Sequence, residues 1–259
     1  MKYDLPEELR IEEVGPIRVV TLNRPDHLNA VRPTLQQALI SVWGQIGHDR
    51  DARAVVLTGA GRAFCAGGDL ENFLHDQEDL MHRRQSVIDA RRLADAMVGF
   101  HLPVVAAVNG LAIGLGCSLA ILSDIVLMSD QAYLADTHVP VGLVAGDGGA
   151  AFWPLLMGML KAKELVMLGE RVEPDEAVRL GLANHVVPAA DLLDEALRIA
   201  GRFADLPPIA VQDTKRAFNL HLRRAIDGVM HFSLAAESES FVTPHVRETV
   251  DRLRARDQK

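Results

Sequence analysis

Two glycine-rich stretches each follow an apolar, strand-like run: Gly59-Ala60-Gly61-Arg62-Ala63-Phe64-Cys65-Ala66-Gly67-Gly68-Asp69-Leu70 and Asn109-Gly110-Leu111-Ala112-Ile113-Gly114-Leu115-Gly116-Cys117-Ser118. Small residues leave backbone N–H groups unshielded, and such groups can stabilise the oxygen of a developing enolate. Either stretch alone is equally typical of a tight strand-to-helix turn. Together they predict a pair of loops that form an oxyanion hole.

The residues around these stretches alternate between strand-like and helix-like patterns. Apolar spacing predicts strands at Ile17 to Leu22 and Ala54 to Thr58, with a helix from Thr34 to Gly47 between them. The same reasoning predicts a long helix from Asp79 to Phe100 and a buried strand from Pro103 to Val108. The fold class is therefore α/β.

The pattern changes after Pro207-Pro208, where strand-like residues become rare. Three helices are predicted there, at Ile209 to Arg224, Ala225 to Phe241 and Pro244 to Arg256. We therefore divide the chain into residues 1–206 and a helical C-terminal region, residues 207–259.

Four ordered motifs resemble those of the crotonase superfamily, the enoyl-CoA hydratase/isomerase family. They are Val20-Thr21-Leu22-Asn23-Arg24-Pro25 with Leu28-Asn29-Ala30, then Ala63 to Leu70, then Pro103 to Gly110 with Gly114 to Cys117, and finally Val141-Gly142-Leu143 with Gly146-Asp147-Gly148-Gly149. The resemblance covers nearly the whole chain. It implies a spiral of repeated strand-strand-helix units in residues 1–206, which hold the active site. It also implies a C-terminal region that mediates trimers, or hexamers built from two trimers, and forms part of the coenzyme A (CoA) site.

The resemblance assigns the oxyanion hole to the backbone N–H groups of Gly68 and Leu115. Family members commonly have glycine at the second position, so the Leu115 side chain must point away or narrow the acyl pocket. Hydratases of the family place a water with two glutamates, and those two positions are Ser118 and His138 here. A serine hydroxyl is not a general base near pH 7, whereas histidine can act as acid or base.

His138 and Asp147 are the candidates for proton transfer, because the intervening turn can bring them together. Alternatively, Asp147 caps the following helix. We expect His138 and Asp147 to handle protons, with Ser118 positioning water, in hydration or isomerisation of an acyl-CoA thioester through an enolate.

Two other functions stay open at this point. Histidine and aspartate at these positions also resemble the β-diketone hydrolases of the superfamily, which cleave a carbon–carbon bond without CoA. Those enzymes have a further acidic residue near the position of Glu237, but we expect Glu237 and Glu239 to be solvated on a helix surface. A non-catalytic, acyl-CoA-binding homologue is the other alternative.

Binding of CoA is expected at two strips and at the C-terminal tail. The resemblance places Arg24 and Ala30 in the first strip and Ala66, Asp69 and Leu70 in the second. The tail is basic, and its Arg256 suits a phosphate, although arginines also stabilise an ordinary helix end. We expect no cofactor apart from the CoA carried by the substrate.

Net charge, missing motifs and cysteine spacing argue against several other classes of protein. The 259 residues carry a formal net charge of −8, which does not favour nucleic acid binding. Neither glycine stretch completes Gly-x-Gly-x-x-Gly, and Gly116-Cys117-Ser118-Leu119-Ala120 lacks the last glycine of a serine hydrolase motif. The two cysteines have no paired spacing, so neither a disulfide nor a metal site is expected. The polar, acidic start and the absence of long apolar runs predict a cytoplasmic protein that does not associate with membranes.

Overall fold

The computed structural model describes residues 3–257, except for the side chains of residues 253, 256 and 257. Its strands are β1 (Leu9–Val14), β2 (Ile17–Leu22), β3 (Ala54–Gly59), β4 (Ala63–Cys65), β5 (Val104–Val108), β6 (Leu111–Ile113), β7 (Ile125–Ser129), β8 (Tyr133–Ala135) and β9 (His185–Val187). Its α-helices are α1 (Pro33–Gly47), α2 (Leu70–Glu78), α3 (Leu80–Gly99), α4 (Leu115–Ile121), α5 (His138–Val141), α6 (Gly149–Met157), α7 (Met159–Leu168), α8 (Pro174–Leu180), α9 (Leu192–Ala204), α10 (Pro208–Ala225), α11 (His231–Ser240) and α12 (Pro244–Asp257).

The chain spirals between two sheets. The larger sheet has the order β1-β2-β3-β5-β7-β9, and the smaller sheet has the order β4-β6-β8. Each of β3, β5 and β7 in the larger sheet is followed directly by one strand of the smaller sheet. One or more helices then lead to the next strand of the larger sheet. Within the larger sheet only β1 is antiparallel to its neighbour. This architecture confirms the predicted α/β fold with its spiral of strand-strand-helix units.

Both faces of the larger sheet are covered, which explains its continuous apolar strands. In β3, Val55 and Leu57 pack into the main core, whereas Ala54 and Val56 face the opposite side. Helix α9 covers that opposite side with residues that recur at helical spacing, namely Leu192, Ala196, Ile199 and Ala200. The larger sheet is thus buried on both sides, and its strands β3, β5 and β7 lead directly into the strands of the smaller sheet.

The C-terminal region is helical from Pro208 onward, as predicted, and a π-helical turn over Ile226–Met230 joins α10 to α11. Helices α10 and α11 pack against α3, and α12 packs against α2 and α5. Two serines of α11 also form hydrogen bonds with the loop between α5 and α6. Assembly through this region and the boundary after residue 206 stay predictions.

None of the helices within residues 3–257 combines the length and apolar character needed to cross a membrane.

Candidate active site

The smaller sheet brings the two glycine-rich loops together. Strands β4 and β6 pair in parallel, with Cys65 opposite Ala112, so the loops that follow them leave the same edge. Gly67 adopts a φ of +88°, and a Cβ there would lie 2.7 Å from the Ile113 carbonyl oxygen and 3.8 Å from the Leu115 nitrogen. The loops are in contact, and glycine is required for this close approach.

The backbone N–H groups of Gly68 and Leu115 are free to bind a ligand. Gly68 forms a parallel bridge with Val31, in which the Gly67 carbonyl and the Asp69 N–H make the hydrogen bonds. Leu115 is the first residue of α4, so its N–H has no acceptor within the helix. In residues 3–257 neither N–H donates to another backbone group. Both residues line one cavity, as an oxyanion hole requires.

A buried asparagine anchors the loop that supports Gly68. Asn29 adopts a φ of +57°, and its side-chain amide donates to the carbonyl oxygens of Ala60 and Ala63. Its side-chain oxygen accepts a hydrogen bond from the Arg24 N–H at 2.8 Å. The Leu28-Asn29-Ala30 motif therefore joins the loop after β2 to the turn before β4.

His138 lies between two carboxylates, one on each ring nitrogen. Its Nδ1 is 2.8 Å from Asp136 Oδ1, and its Nε2 is 3.5 Å from Asp147 Oδ2. The backbone N–H of His138 also donates to Asp136 Oδ1. Ser118 donates a long hydrogen bond of 3.3 Å to Asp147 Oδ1. All four residues are buried.

Asp147 does not cap the helix that follows it. Helix α6 begins after Gly148, and no side chain makes a capping hydrogen bond there. The alternative role considered for Asp147 is therefore wrong, because its carboxylate is directed to Ser118 and His138 instead.

Glu237 is buried in the same cavity, so the expectation that it is solvated is wrong. Its Oε1 lies 3.9 Å from His138 Nε2. Two hydrogen bonds fix α11 against the turn that carries Asp147. Ser233 donates to the Gly146 carbonyl, and Ser240 accepts from the Val144 N–H, each at 3.2 Å. Glu239, in contrast, is exposed as predicted.

Glycines make room for this cluster. A Cβ on Gly146 would collide with the Glu237 carboxyl, and a Cβ on Gly149 would collide with the Asp136 carboxyl. The turn Gly146-Asp147-Gly148-Gly149 therefore lets two acidic side chains pack directly on backbone.

Burial and charge set the protonation of the cluster. Burial alone would lower the pKa of His138, but the carboxylates of Asp147 and Asp136 raise it well above the usual 6.5. Burial raises the pKa of Glu237 to about 8, against the opposing charge of His138. Both shifts in pKa favour the protonated forms, a charged imidazolium for His138 and a neutral carboxyl for Glu237.

The structure brings together most of the residues singled out from the sequence. One cavity of about 70 Å³ is lined by Gly68, Leu115, His138, Asp147 and Glu237. Ser118 lies behind Asp147 rather than in the lining. The side chain of Leu115 packs against the main core.

The predicted CoA strips lie beside this cavity. Arg24 and Asp69 line a neighbouring pocket and form an ion pair of 3.1 Å, and Arg24 also donates to the Ala30 carbonyl. Ala66 donates to the Leu28 carbonyl, and Leu70 begins α2. The Arg24 guanidinium, which also lies 3.5 Å from Glu8, is engaged within the protein. The side chain of Arg256 lies outside the described part of the structure.

Asp136 and Glu237 are the members of the cluster that sequence reasoning did not place there. Asp136 follows β8 directly and lies two residues before His138, so an acid beside a candidate histidine was the available signal. For Glu237 the resemblance to the β-diketone hydrolases was the available signal, and its own segment carried none because only the docking of α11 buries it.

The spiral of two sheets, with two free backbone donors in residues that line one cavity with buried acid–base groups, defines an enzyme-like site of the crotonase type. The sequence model of the enoyl-CoA hydratase/isomerase family matches residues 12–258. The chain belongs to this family, within the crotonase superfamily.

Three relatives illustrate the similarity. A short-chain-enoyl-CoA hydratase of Clostridium acetobutylicum is 34% identical over 93% of this chain and 92% of its own length. A crotonyl-CoA hydratase of Syntrophomonas wolfei is 31% identical, with 93% of each chain covered. An enoyl-CoA hydratase/isomerase from Mycobacterium paratuberculosis, known from a crystal structure, is 47% identical to this chain in sequence. It superposes with a TM-score of 0.93, over 96% of this chain and all of that one.

Proposed function

We propose that this protein adds water to a short α,β-unsaturated acyl-CoA thioester through an enolate intermediate. The observation that carries the proposal is that two free N–H donors, Gly68 and Leu115, share one cavity with His138, Asp147 and Glu237. The cavity volume of about 70 Å³ is well below the roughly 300–1,000 Å³ common for small-molecule pockets. That size favours a short acyl group.

The thioester carbonyl oxygen accepts hydrogen bonds from the two N–H groups, which stabilise the negative charge that develops on it. Asp147 takes a proton from water as the water oxygen bonds to the β-carbon, and the electrons of the double bond move toward the thioester as an enolate. Glu237, protonated near pH 7 because its pKa is about 8, then gives a proton to the α-carbon. The product is a 3-hydroxyacyl thioester.

His138 returns Asp147 and Glu237 to their starting protonation states after each turnover. Its Nε2 lies 3.5 Å from Asp147 and 3.9 Å from Glu237, so the imidazolium can pass the proton gained by Asp147 to Glu237. Asp136 holds the other ring nitrogen and keeps the ring oriented. In this role the charged His138 relays a proton and does not itself deprotonate water. Ser118 holds the Asp147 carboxylate in position.

Family membership and relatives described as enoyl-CoA hydratases support an acyl-CoA substrate. In this proposal Ala30, Ala66 and Leu70 contact CoA through their backbone, while the Arg24–Asp69 ion pair holds the two strips together. Arg256 binding to a CoA phosphate, trimers or hexamers, a cytoplasmic location and the lack of a separate cofactor stay predictions.

The test is to incubate the protein with crotonyl-CoA and to measure the mass of the product. We expect the mass to increase by one water, with the product identified as 3-hydroxybutanoyl-CoA. Asp147→Asn should remove this activity, whereas the exposed Glu239→Gln should retain it. A product of unchanged mass would indicate isomerisation instead, and no conversion by the wild type would overturn the proposal.

The burial of Glu237 beside His138 favours one second candidate, cleavage of a β-diketone. Water would add to one carbonyl, the bond to the central carbon would break, and the departing enolate would be held by the same N–H groups and protonated. Heptane-3,5-dione would then give propanoate and butan-2-one. Formation of these products without conversion of crotonyl-CoA would favour this candidate.

A further inference from the structure

The cavity has a polar wall that the proposed chemistry does not use. Four residues form it, and we name them the Asp76 wall: Gln36, Asn72, Asp76 and Ser86. They lie on α1, α2 and α3, whereas the reactive cluster comes from the segment around 136–147 and from α11. The rest of the lining near this wall is apolar and includes Val87, Ala90 and Phe73.

Asp76 is held firmly in this wall. It is only 1% exposed. Its Oδ1 accepts hydrogen bonds from His82 Nδ1 at 2.6 Å and from Ser86 Oγ at 2.8 Å. Its Oδ2 accepts one from Asn72 Nδ2 at 3.1 Å. Burial raises the pKa of Asp76, and the hydrogen bonds from Ser86 and His82 oppose this rise.

A carboxyl at this position does not suit a purely aliphatic acyl group. Burying a polar group beside hydrocarbon carries a cost unless its hydrogen bonds are completed. Oδ2 of Asp76 has one partner and retains an acceptor position. Gln36 lines the same cavity, and its side-chain amide has no hydrogen bond to any residue in the range 3–257. The wall therefore offers an acceptor and an amide to a ligand.

Asp89 provides a comparison within the same layer of helices. It is also buried on α3, and it accepts hydrogen bonds from Gln37, Gln85 and Arg92. Asp89 lies outside the cavity lining. A buried aspartate can thus join these helices without facing the cavity, and Asp76 differs in facing it.

We propose that the Asp76 wall binds a hydroxyl group on the substrate, beyond the carbons that react. The hydroxyl donates to Asp76 Oδ2 and accepts from the amide of Gln36 or Asn72. This inference rests on the proposed function. It makes the substrate a short enoyl thioester that carries a hydroxyl group, rather than one with an unsubstituted alkyl chain. A site built for a hydroxyl discriminates strongly against an analogue that lacks it, because its polar groups are then left unpaired.

The test is calorimetric binding of two saturated thioesters, pentanoyl-CoA and 5-hydroxypentanoyl-CoA, which cannot be hydrated. We expect the wild type to bind the hydroxylated thioester about tenfold to a hundredfold more tightly, the range for a hydrogen bond to a charged group. Asp76→Asn should reduce this preference at least tenfold, and Asp89→Asn should leave it unchanged. If Asp76→Asn does not fold, Ser86→Ala, which removes one donor to Asp76, should still weaken the preference.

Equal affinity of the wild type for the two thioesters would overturn this inference and leave the proposed function intact. A parallel loss of affinity for both ligands in Asp76→Asn would also overturn it, because that result indicates a structural role alone. If neither thioester binds, the proposed function fails. Heptane-3,5-dione and 1-hydroxyheptane-3,5-dione then provide the same comparison without CoA, and equal affinity for them overturns the inference.

Discussion

The two halves of the cavity are built in different ways. One half presents backbone N–H groups from Gly68 and Leu115, which are placed by two short paired strands. The other half presents the side chains of His138, Asp147 and Glu237, which reach the cavity from α5, from the turn before α6 and from α11. The first half depends on local glycines, whereas the second depends on how distant helices dock. The halves should therefore respond differently to mutation.

The largest effect is expected from the side-chain half. Glu237→Gln removes the acid that protonates the α-carbon, so kcat for crotonyl-CoA should fall by about 10³-fold, within the range for general acid catalysis. KM should change little, because CoA contacts are unaffected. Steady-state kinetics beside Glu239→Gln, an exposed carboxyl on the same helix, provides the control. A kcat within tenfold of the wild type would exclude Glu237 as the acid.

A smaller loss is expected from the backbone half. Gly67→Ala places a Cβ 2.7 Å from the Ile113 carbonyl oxygen at a φ of +88°, which must shift the loop that carries the Gly68 N–H. Misplacing one such donor should lower kcat by about 10²-fold. Gly44→Ala on α1 meets no atom within 4 Å and should leave kcat unchanged. Equal rates for the two variants would argue against an oxyanion hole at Gly68.

Asp136 connects to the reaction only through His138, so its effect should be smaller again. Asp136→Asn keeps an acceptor for Nδ1 but removes a charge that raises the pKa of His138. We expect that pKa to fall, as measured by NMR titration of the ring, and kcat to fall about tenfold. An unchanged His138 pKa would show that Asp136 does not stabilise the imidazolium.

The smallest effect concerns stability as a function of pH. In the folded protein the pKa of Glu237 is raised from 4.5 to about 8, and that of His138 is raised above 6.5. Both groups hold protons more tightly when folded, so their stabilisation is present at low pH and is lost as pH rises through the folded values.

The Tm of the wild type should therefore fall between pH 6 and pH 9, by roughly 2–4 °C for each kcal/mol lost in a chain of this size. Glu237→Gln should show a smaller fall over the same range, because it has no proton to lose there. Thermal denaturation followed by circular dichroism measures both proteins. A fall that is equally steep in Glu237→Gln would mean that Glu237 does not hold its proton in the folded state.

The sequence predicted the features that depend on local residues better than those that depend on contacts between distant elements. The long elements were predictable because their apolar periodicity is strong, as in the helix over Pro33–Gly47 and the strand over Ala54–Gly59. Strands β4 and β6 have three residues each, too few for a period to be visible, yet they position the oxyanion loops. Helix α9 was not predicted either, although its spacing is amphipathic.

The candidate site was predictable only where its signal was local. The glycines indicated the two loops, and the family resemblance then assigned the donors to Gly68 and Leu115. The spacing across one turn indicated His138 with Asp147. Glu237 could not be recognised from its neighbours, because its burial depends on the contacts of Ser233 and Ser240 with the distant turn.

A crystal structure of the protein with acetoacetyl-CoA, an enolisable thioester, tests the central claim most directly. We expect the thioester oxygen within hydrogen-bond distance of both the Gly68 and the Leu115 nitrogens, with the acyl carbons facing Asp147 and Glu237. A thioester oxygen bound elsewhere, or acyl carbons directed away from these two carboxyl groups, would contradict the account.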